Sequence, residues 1–273
     1  MRGDIRQCGL PGYDLSDYIR ESIDFLRAHE PPEGYFVGFS GGKDSIVSLE
    51  LCRMAGVKHQ AFYSCTRIDP PEMYRFIRNE YPDVTWLYPK FSMFEGIHLY
   101  GPPYKNRRWC CDHLKKNPGM DYPITQRVFG IRAEESKQRA DKGRIYEYVI
   151  RKGRGKTKKG RFIHLHYHPI FYWPEWAVWE FIEDHRLPYP SLYDDGFRRI
   201  GCVVCPYILG TSPSAFHQRI LSKRRWPNIW KAYQRAVLHW WETSTSQSGQ
   251  RRRAKPGETA ADYWRAYLNG FDN

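Results

Sequence analysis

Phe39-Ser40-Gly41-Gly42-Lys43-Asp44-Ser45-Ile46 follows the short apolar run Tyr35 to Phe39 and precedes Val47-Ser48-Leu49-Glu50-Leu51-Cys52, whose apolar residues recur at helical spacing. The order reads as buried strand, tight polar loop, then helix. Two glycines let the loop backbone approach a ligand, and a helix start presents N–H groups that favour an anion. Ser40 and Ser45 add hydroxyl donors and Lys43 a point charge. The stretch predicts a cradle for phosphate oxygens. The plainer alternative is a Gly-Gly turn with exposed polar residues.

A Walker loop does not fit. It requires a glycine where Val37 stands and a Ser or Thr where Asp44 stands. Ser-Gly-Gly-Lys-Asp-Ser instead resembles the pyrophosphate loop of the ATP pyrophosphatases and adenine nucleotide alpha hydrolases. That resemblance implies cleavage of ATP between its α and β phosphates, with adenylation of an acceptor oxygen.

Outward from the loop, Leu15 to His29 reads as an amphipathic helix that Pro31-Pro32 ends. The loop's helix reaches Gly56. Lys58 to Tyr63 and Val84 to Tyr88 read as strands around a helix from Pro70 to Tyr81, and Phe129-Gly130-Ile131 as a further strand end. This alternation predicts an open, mostly parallel α/β sheet with helices on both faces, its ligand beyond the carboxyl ends of the strands. Tyr146 to Ile150 and Phe162 to Tyr167 predict a hairpin, Glu175 to His185 a helix, and the chain beyond Pro206 a helical extension. The expected domains are 1–210, with a basic hairpin insertion near 145–168, and 211–273. His164, His166 and His168 alternate along one strand; histidines with ordinary partners explain them better than a metal does.

With 273 residues and 41% hydrophobic content, the chain can bury one sizeable core. Met1 to Gly12 lacks an apolar leader, and no uncharged run could span a bilayer, which predicts a cytoplasmic protein without a membrane partner. The net charge of +13 is concentrated: residues 151–161 hold seven bases and no acid, and 219–255 hold ten bases against Glu242. Removing both leaves −3 for the rest. Such segments fit a polyanion such as nucleic acid; solvated basic loops are the other reading.

Seven cysteines in a reducing compartment point to metal or redox chemistry more than to disulfides. Cys110 and Cys111 are adjacent, and Cys202 and Cys205 form a Cys-x-x-Cys pair. Two close pairs can ligate a [4Fe–4S] cluster; zinc accepts four thiolates too, but vicinal cysteines suit one tetrahedral ion poorly. Cys8, Cys52 and Cys65 read as buried or incidental thiols.

Cys110-Cys111-Asp112-His113-Leu114-Lys115 together with Gly201-Cys202-Val203-Val204-Cys205-Pro206 resembles the cluster-binding pattern of the phosphoadenosine phosphosulfate (PAPS) reductase family. Gly130-Ile131-Arg132-Ala133-Glu134-Glu135-Ser136 is similar to that family's Gly-x-Arg-x-x-x-Ser segment, and Leu187 to Phe197 leads into the Cys-x-x-Cys as in family members. The likeness spans roughly residues 30 to 210. It implies a [4Fe–4S] cluster on Cys110, Cys111, Cys202 and Cys205. It also implies an adenine nucleotide held by Ser40, Gly41, Gly42, Lys43, Asp44, Ser45, Gly130 and Arg132, with Lys43, Asp44 and Arg132 as catalytic candidates. A surface ion pair with Glu134 or Glu135 is the alternative for Arg132; Lys115 is expected near the cluster or the substrate.

Two departures bear on the reaction. The reductases carry a C-terminal Glu-Cys-Gly-type nucleophile, whereas no cysteine follows Cys205 here; and the reductases' loop usually lacks the full Ser-Gly-Gly-Lys-Asp-Ser retained here. Both imply ATP and Mg²⁺, a sulfur donor such as a cysteine desulfurase, and sulfur transfer to an acceptor, similar to DNA phosphorothioation enzymes. A PAPS or adenosine phosphosulfate reductase is the second reading. A non-catalytic iron–sulfur nucleic-acid-binding protein is the third.

Overall fold

The alternating pattern builds one six-stranded sheet in the computed structural model, which describes residues 10–151, 161–244 and 259–270. The chain order is α1 (Leu15–Ala28), β1 (Tyr35–Gly38), α2 (Lys43–Ala55), β2 (His59–Ser64), α3 (Pro71–Glu80), β3 (Thr85–Leu87), α4 (Met93–Tyr100), β4 (Gln126–Phe129), α5 (Lys137–Ala140), β5 (Ile145–Arg151), β6 (Arg161–Tyr167), α6 (Glu175–Asp184), α7 (Pro213–Arg225), α8 (Pro227–Ser244) and α9 (Ala260–Leu268). The strands lie in the order β3-β2-β1-β4-β6-β5; β1 pairs parallel with β2 and with β4, β4 parallel with β6, and β6 antiparallel with β5. The first three strands run outward from β1, and the chain then crosses to β4 on β1's other side. That reversal makes a switch point between β1 and β4, where open α/β sheets take their ligands. The pairing of Gly38 with Phe129 brings the segments after both strands side by side.

Contacts divide the chain into two units. The first takes the described residues of Met1–Tyr63, Arg75–Trp86 and Asp121–Pro190. In it, α1 begins at a reciprocal cap between Asp14 and Asp17 and buries Leu15, Tyr18, Ser22, Phe25 and Leu26, one apolar face at helical spacing. Ser22 accepts the indole N–H of Trp173 at 3.0 Å and donates to the Pro169 carbonyl at 2.9 Å. Leu26, Val37, Leu49, Leu51, Val128 and Phe181 of this unit are fully buried. Each buried side chain of Leu or Phe size contributes about 1.5–3 kcal/mol.

Arg127, the β6 histidines His164 and His166, and His168 just beyond β6 share one region of this unit. Arg127 lies 4.3 Å over the Phe36 ring and 3.4 Å from His164 Nε2, and His168 Nδ1 is 2.9 Å from the Gly143 carbonyl. Burial, then Arg127, lowers the His164 pKa to about 4. Burial, then His168 and Arg127, lowers His166 to about 3. Burial also lowers His168 to about 4, against the opposing Gly143 carbonyl. Each group therefore takes its proton first in the unfolded chain, at the ordinary pKa of 6.5. Stability is lost as pH falls below about 6.5, and the loss continues until the native groups titrate. With about two to three protons taken up, unfolding free energy should drop by roughly 2–3 kcal/mol between pH 6.5 and 5.5. Urea titrations at the two pH values read this drop, and equal midpoints would contradict it.

The second unit takes the described residues of Ser64–Tyr74, Leu87–Met120 and Ser191–Asn273. Buried Arg219 on α7 donates to the carbonyls of Gly210 (3.0 Å) and Leu268 (2.6 Å), tying α7 to the end of α9. Tyr233 on α8 and Tyr267 on α9 share a 2.5 Å hydroxyl contact, and Tyr267 donates to the Pro103 carbonyl at 2.9 Å. The helical extension thus packs on the segment that leads to the vicinal cysteines. Residues 152–160 and 245–255 of the two basic segments, and Cys8, lie outside the described residues. Among the described residues no helix is long and apolar enough to cross a membrane.

Candidate functional site

The predicted loop folds around Ser45. Phe39 N–H donates to the Phe62 carbonyl at 2.9 Å, holding the chain in the sheet until the loop begins. Gly41 then takes φ +72°, in the left-handed region that glycine enters without strain. The Ser45 hydroxyl accepts the Ser40 N–H at 3.1 Å and donates to the Gly42 carbonyl at 2.8 Å. Ser40 Oγ lies 3.1 Å from it and accepts the Gly42 N–H at 3.4 Å. Gly42 caps α2 without a side-chain hydrogen bond, whereas α1, α4 and α9 each begin at a capping box. The start of α2 therefore lacks the side-chain oxygen that normally satisfies leading N–H groups. Gly130, after β4, comes against this turn so closely that only a hydrogen fits on its Cα.

Charged side chains close the arrangement. Lys43 is buried, with Nζ 3.2 Å from Glu175 Oε1, 3.7 Å from Asp44 Oδ2 and 5.9 Å from the centre of the Trp179 ring. Arg132 is also buried: Nε donates to Asp44 Oδ1 at 2.6 Å and Nη1 to Glu134 Oε2 at 2.5 Å. Burial works against its charge, but Asp44 and Glu134 outweigh it and hold the pKa above the ordinary value. The expected alternative partner, Glu134, is thus real, yet the pair is buried and joined to the loop through Asp44. Glu134 also accepts the Glu175 N–H at 2.9 Å at the start of α6. All eight nucleotide-site residues predicted from sequence meet in the first unit. Glu175 and Trp179 join them from α6, and nothing local in the sequence marks either one.

The four cysteines meet in the second unit. Cys110 precedes a π-helical turn, Cys111–Lys116, a wider turn that is uncommon and frequent at functional sites. The Cys-x-x-Cys pair is a turn closed by Cys205 N–H to the Cys202 carbonyl at 3.1 Å. Buried Val203 anchors it, its N–H donating to Ile68 and its carbonyl accepting the Ser222 hydroxyl at 2.7 Å. Cys202 Sγ donates to Thr66 Oγ1 at 3.7 Å. A hydrogen bond from Cys110 is the main cause of a lowered Cys111 pKa, with Lys115 and Arg108 adding to it. The same bond, with burial, pushes Cys110 up. Burial raises Cys202 and Cys205, opposed by Lys115. Lys115 keeps solvent contact, and Cys202, Asp69, Cys205 and Cys111 hold its ammonium pKa above the ordinary value despite desolvation.

These thiols form one electrostatic group, and the six described cysteines are all free. As the side chains stand, no group of three or more His, Cys, Asp or Glu among the described residues is arranged to hold a metal ion. The donor chemistry suits a cluster, which spreads its thiolates over separate irons. Cys52 and Cys65 are buried thiols, as expected.

A family model described as the phosphoadenosine phosphosulfate reductase domain matches residues 34–208. An uncharacterized protein of Methanocaldococcus jannaschii is 27% identical over 240 residues, 84% of this chain and 47% of that protein. The chain spans about half the length of the archaeal relatives it matches. The adenosine 5'-phosphosulfate reductase of Staphylococcus epidermidis is 26% identical over 226 residues, 79% of this chain and 86% of that enzyme. A crystal structure of phosphoadenylyl-sulfate reductase from Candida auris, a phosphate complex, is similar at a TM-score of 0.47 and 16% identity, covering 71% of this chain and 96% of that one. With a match across residues 34–208, this chain belongs to the phosphoadenosine phosphosulfate reductase family.

Proposed function

We propose that the chain is an iron–sulfur ATP pyrophosphatase that adenylates an acceptor, a nucleic acid, for sulfur transfer. The observation that carries this reading is the uncapped start of α2 beside buried Lys43, with Gly41 and the Ser40 and Ser45 hydroxyls shaping the turn. The β and γ phosphates of ATP, with Mg²⁺, take that place. The acceptor oxygen attacks the α phosphorus, the bond to the bridging oxygen breaks, and pyrophosphate leaves with the electron pair. Lys43 and the helix N–H groups neutralise the charge growing on it. Arg132 holds Asp44, and through it the loop. A donor's nucleophilic sulfur then displaces AMP from the acceptor. Cys110, Cys111, Cys202 and Cys205 would hold a [4Fe–4S] cluster, which with a thiolate on every iron would brace the pocket and would bind sulfur only at an iron that one cysteine had left.

The names of the staphylococcal relatives favour a second reading, reduction of adenosine phosphosulfate. Two assays on an anaerobic preparation separate the readings: pyrophosphate release from ATP with Mg²⁺, and sulfite release from adenosine phosphosulfate with thioredoxin. Pyrophosphate without sulfite is expected. Sulfite without pyrophosphate would replace the first reading by the second.

The nucleic-acid acceptor rests on the basic segments. Neutralising the seven bases of 151–161 removes up to seven phosphate contacts, so affinity and its salt dependence should both fall. Each lost contact lowers the slope of log affinity against log salt by about 0.7–0.9. Filter binding across a salt series measures this, and an unchanged slope would remove 151–161 from the interface.

A further inference from the structure

Arg108 and Tyr207 stand in matching places, two residues before the first cysteine pair and two after the second. Lys105, Asn106 and Arg107 are exposed, but Arg108 turns inward. Its Nε donates to the Lys105 carbonyl at 3.1 Å, which fixes the plane of the guanidinium. Nη1 then reaches Cys111 Sγ at 3.9 Å, and the guanidinium carbon lies 4.6 Å over the Tyr207 ring. Tyr207 is 48% exposed, so its outer side faces solvent.

We infer that Arg108 and Tyr207 are positioning residues that clasp the two cysteine-bearing loops together, and that they set the reduction potential and oxygen tolerance of the metal centre held there. The inference rests on the cluster reading above. An N–H donor and a fixed positive charge beside a thiolate ligand favour the more negative, reduced state of an iron–sulfur centre. The ring holds the guanidinium over the sulfur by a cation–π contact, which a phenyl ring supplies as well as a phenol. Cys111 is partly exposed, and Arg108 lies against its sulfur with Tyr207 stacked on the guanidinium, so loss of either side chain would open that sulfur further to oxygen.

The test uses the full chain, reconstituted with iron and sulfide without oxygen, and follows its visible absorbance during titration with dithionite as the one-electron donor. Arg108→Met should shift the reduced-to-oxidised ratio about tenfold at a given potential, a fall in midpoint of roughly 59 mV for a one-electron couple. Tyr207→Leu should move it the same way by less, and both variants should bleach several-fold faster in air. Tyr207→Phe should match the wild type on both readouts. Should Arg108→Met lose its iron, Tyr207→Leu at the surface still carries the comparison. Full iron content with wild-type potential and bleaching in Arg108→Met and Tyr207→Leu overturns the clasp and leaves the cluster reading intact. A wild-type chain that takes up no iron overturns both.

Discussion

Gly130→Ala is expected to destabilise the first unit by about 3 kcal/mol or more, at the upper end of what overpacking a close contact costs. A Cβ there would stand 2.3 Å from the Asp44 carbonyl oxygen, 2.6 Å from its carbon and 3.0 Å from the Ser45 nitrogen. All three are backbone atoms of the first turn of α2, so no rotamer change relieves the clash. The Asp44 carbonyl already accepts the Ser48 hydroxyl at 2.9 Å, and Asp44 itself is held by Arg132 from the segment that Gly130 begins. Loop and strand must therefore separate. For a domain of this size the melting temperature should fall by roughly 6–12 °C. Displacing the loop by about an ångström should also weaken the proposed ATP-dependent turnover by about 10²-fold, because reacting groups held that far out of place lose most of their advantage. Thermal melts followed by circular dichroism, with turnover measured well below the transition, separate the two effects. Wild-type melting with wild-type turnover would show that Gly130 does not approach α2 in solution.

The contact also marks where sequence reading stops. The strand–loop–helix order at Tyr35–Ala55 was legible because every signal is local: an apolar run, two glycines, and helical spacing that ends at Gly56. The same holds for the hairpin strands on either side of the basic segment. Their place in the sheet was not legible, because β6 pairs parallel with β4, and pairing between distant strands leaves no periodicity to read. The eight residues proposed to hold a nucleotide could be brought forward from motifs, but the bond from Arg132 to Asp44 joins residues 88 apart. Glu175 is further still: an acidic residue after Pro174 reads as an ordinary helix start, and only the fold makes it a partner of Lys43. At the cysteines, spacing alone pointed to the set of four. The π-helical turn, the Val203 anchor and the Arg108–Tyr207 contact depend on packing, and α4, with its Ser92–Glu95 capping box, was a local signal left unread.

Lys43→Met should lower the rate of pyrophosphate release by about 10²–10³-fold, the usual loss when one preorganised donor to developing charge is removed. Methionine keeps the apolar stem near Trp179 and removes only the ammonium, so the fold should survive. In the proposed reaction charge on the β phosphate grows as the α–β bond breaks, so the missing cation would be felt more in the transition state than in bound ATP. The fall should therefore appear mainly in kcat, with KM changed far less. Glu175→Gln supplies the contrast. Its carboxylate is 3.2 Å from Lys43 Nζ but its side chain is 57% exposed, and exposed ion pairs contribute roughly 0–1 kcal/mol, so turnover should change less than about fivefold. If Lys43→Met releases pyrophosphate as fast as the wild type, α2 does not cradle the leaving group. If Glu175→Gln is as damaged as Lys43→Met, the lysine acts only as half of a structural ion pair. A large loss in the first variant with a small one in the second is what a cation positioned for charge on a departing phosphate requires.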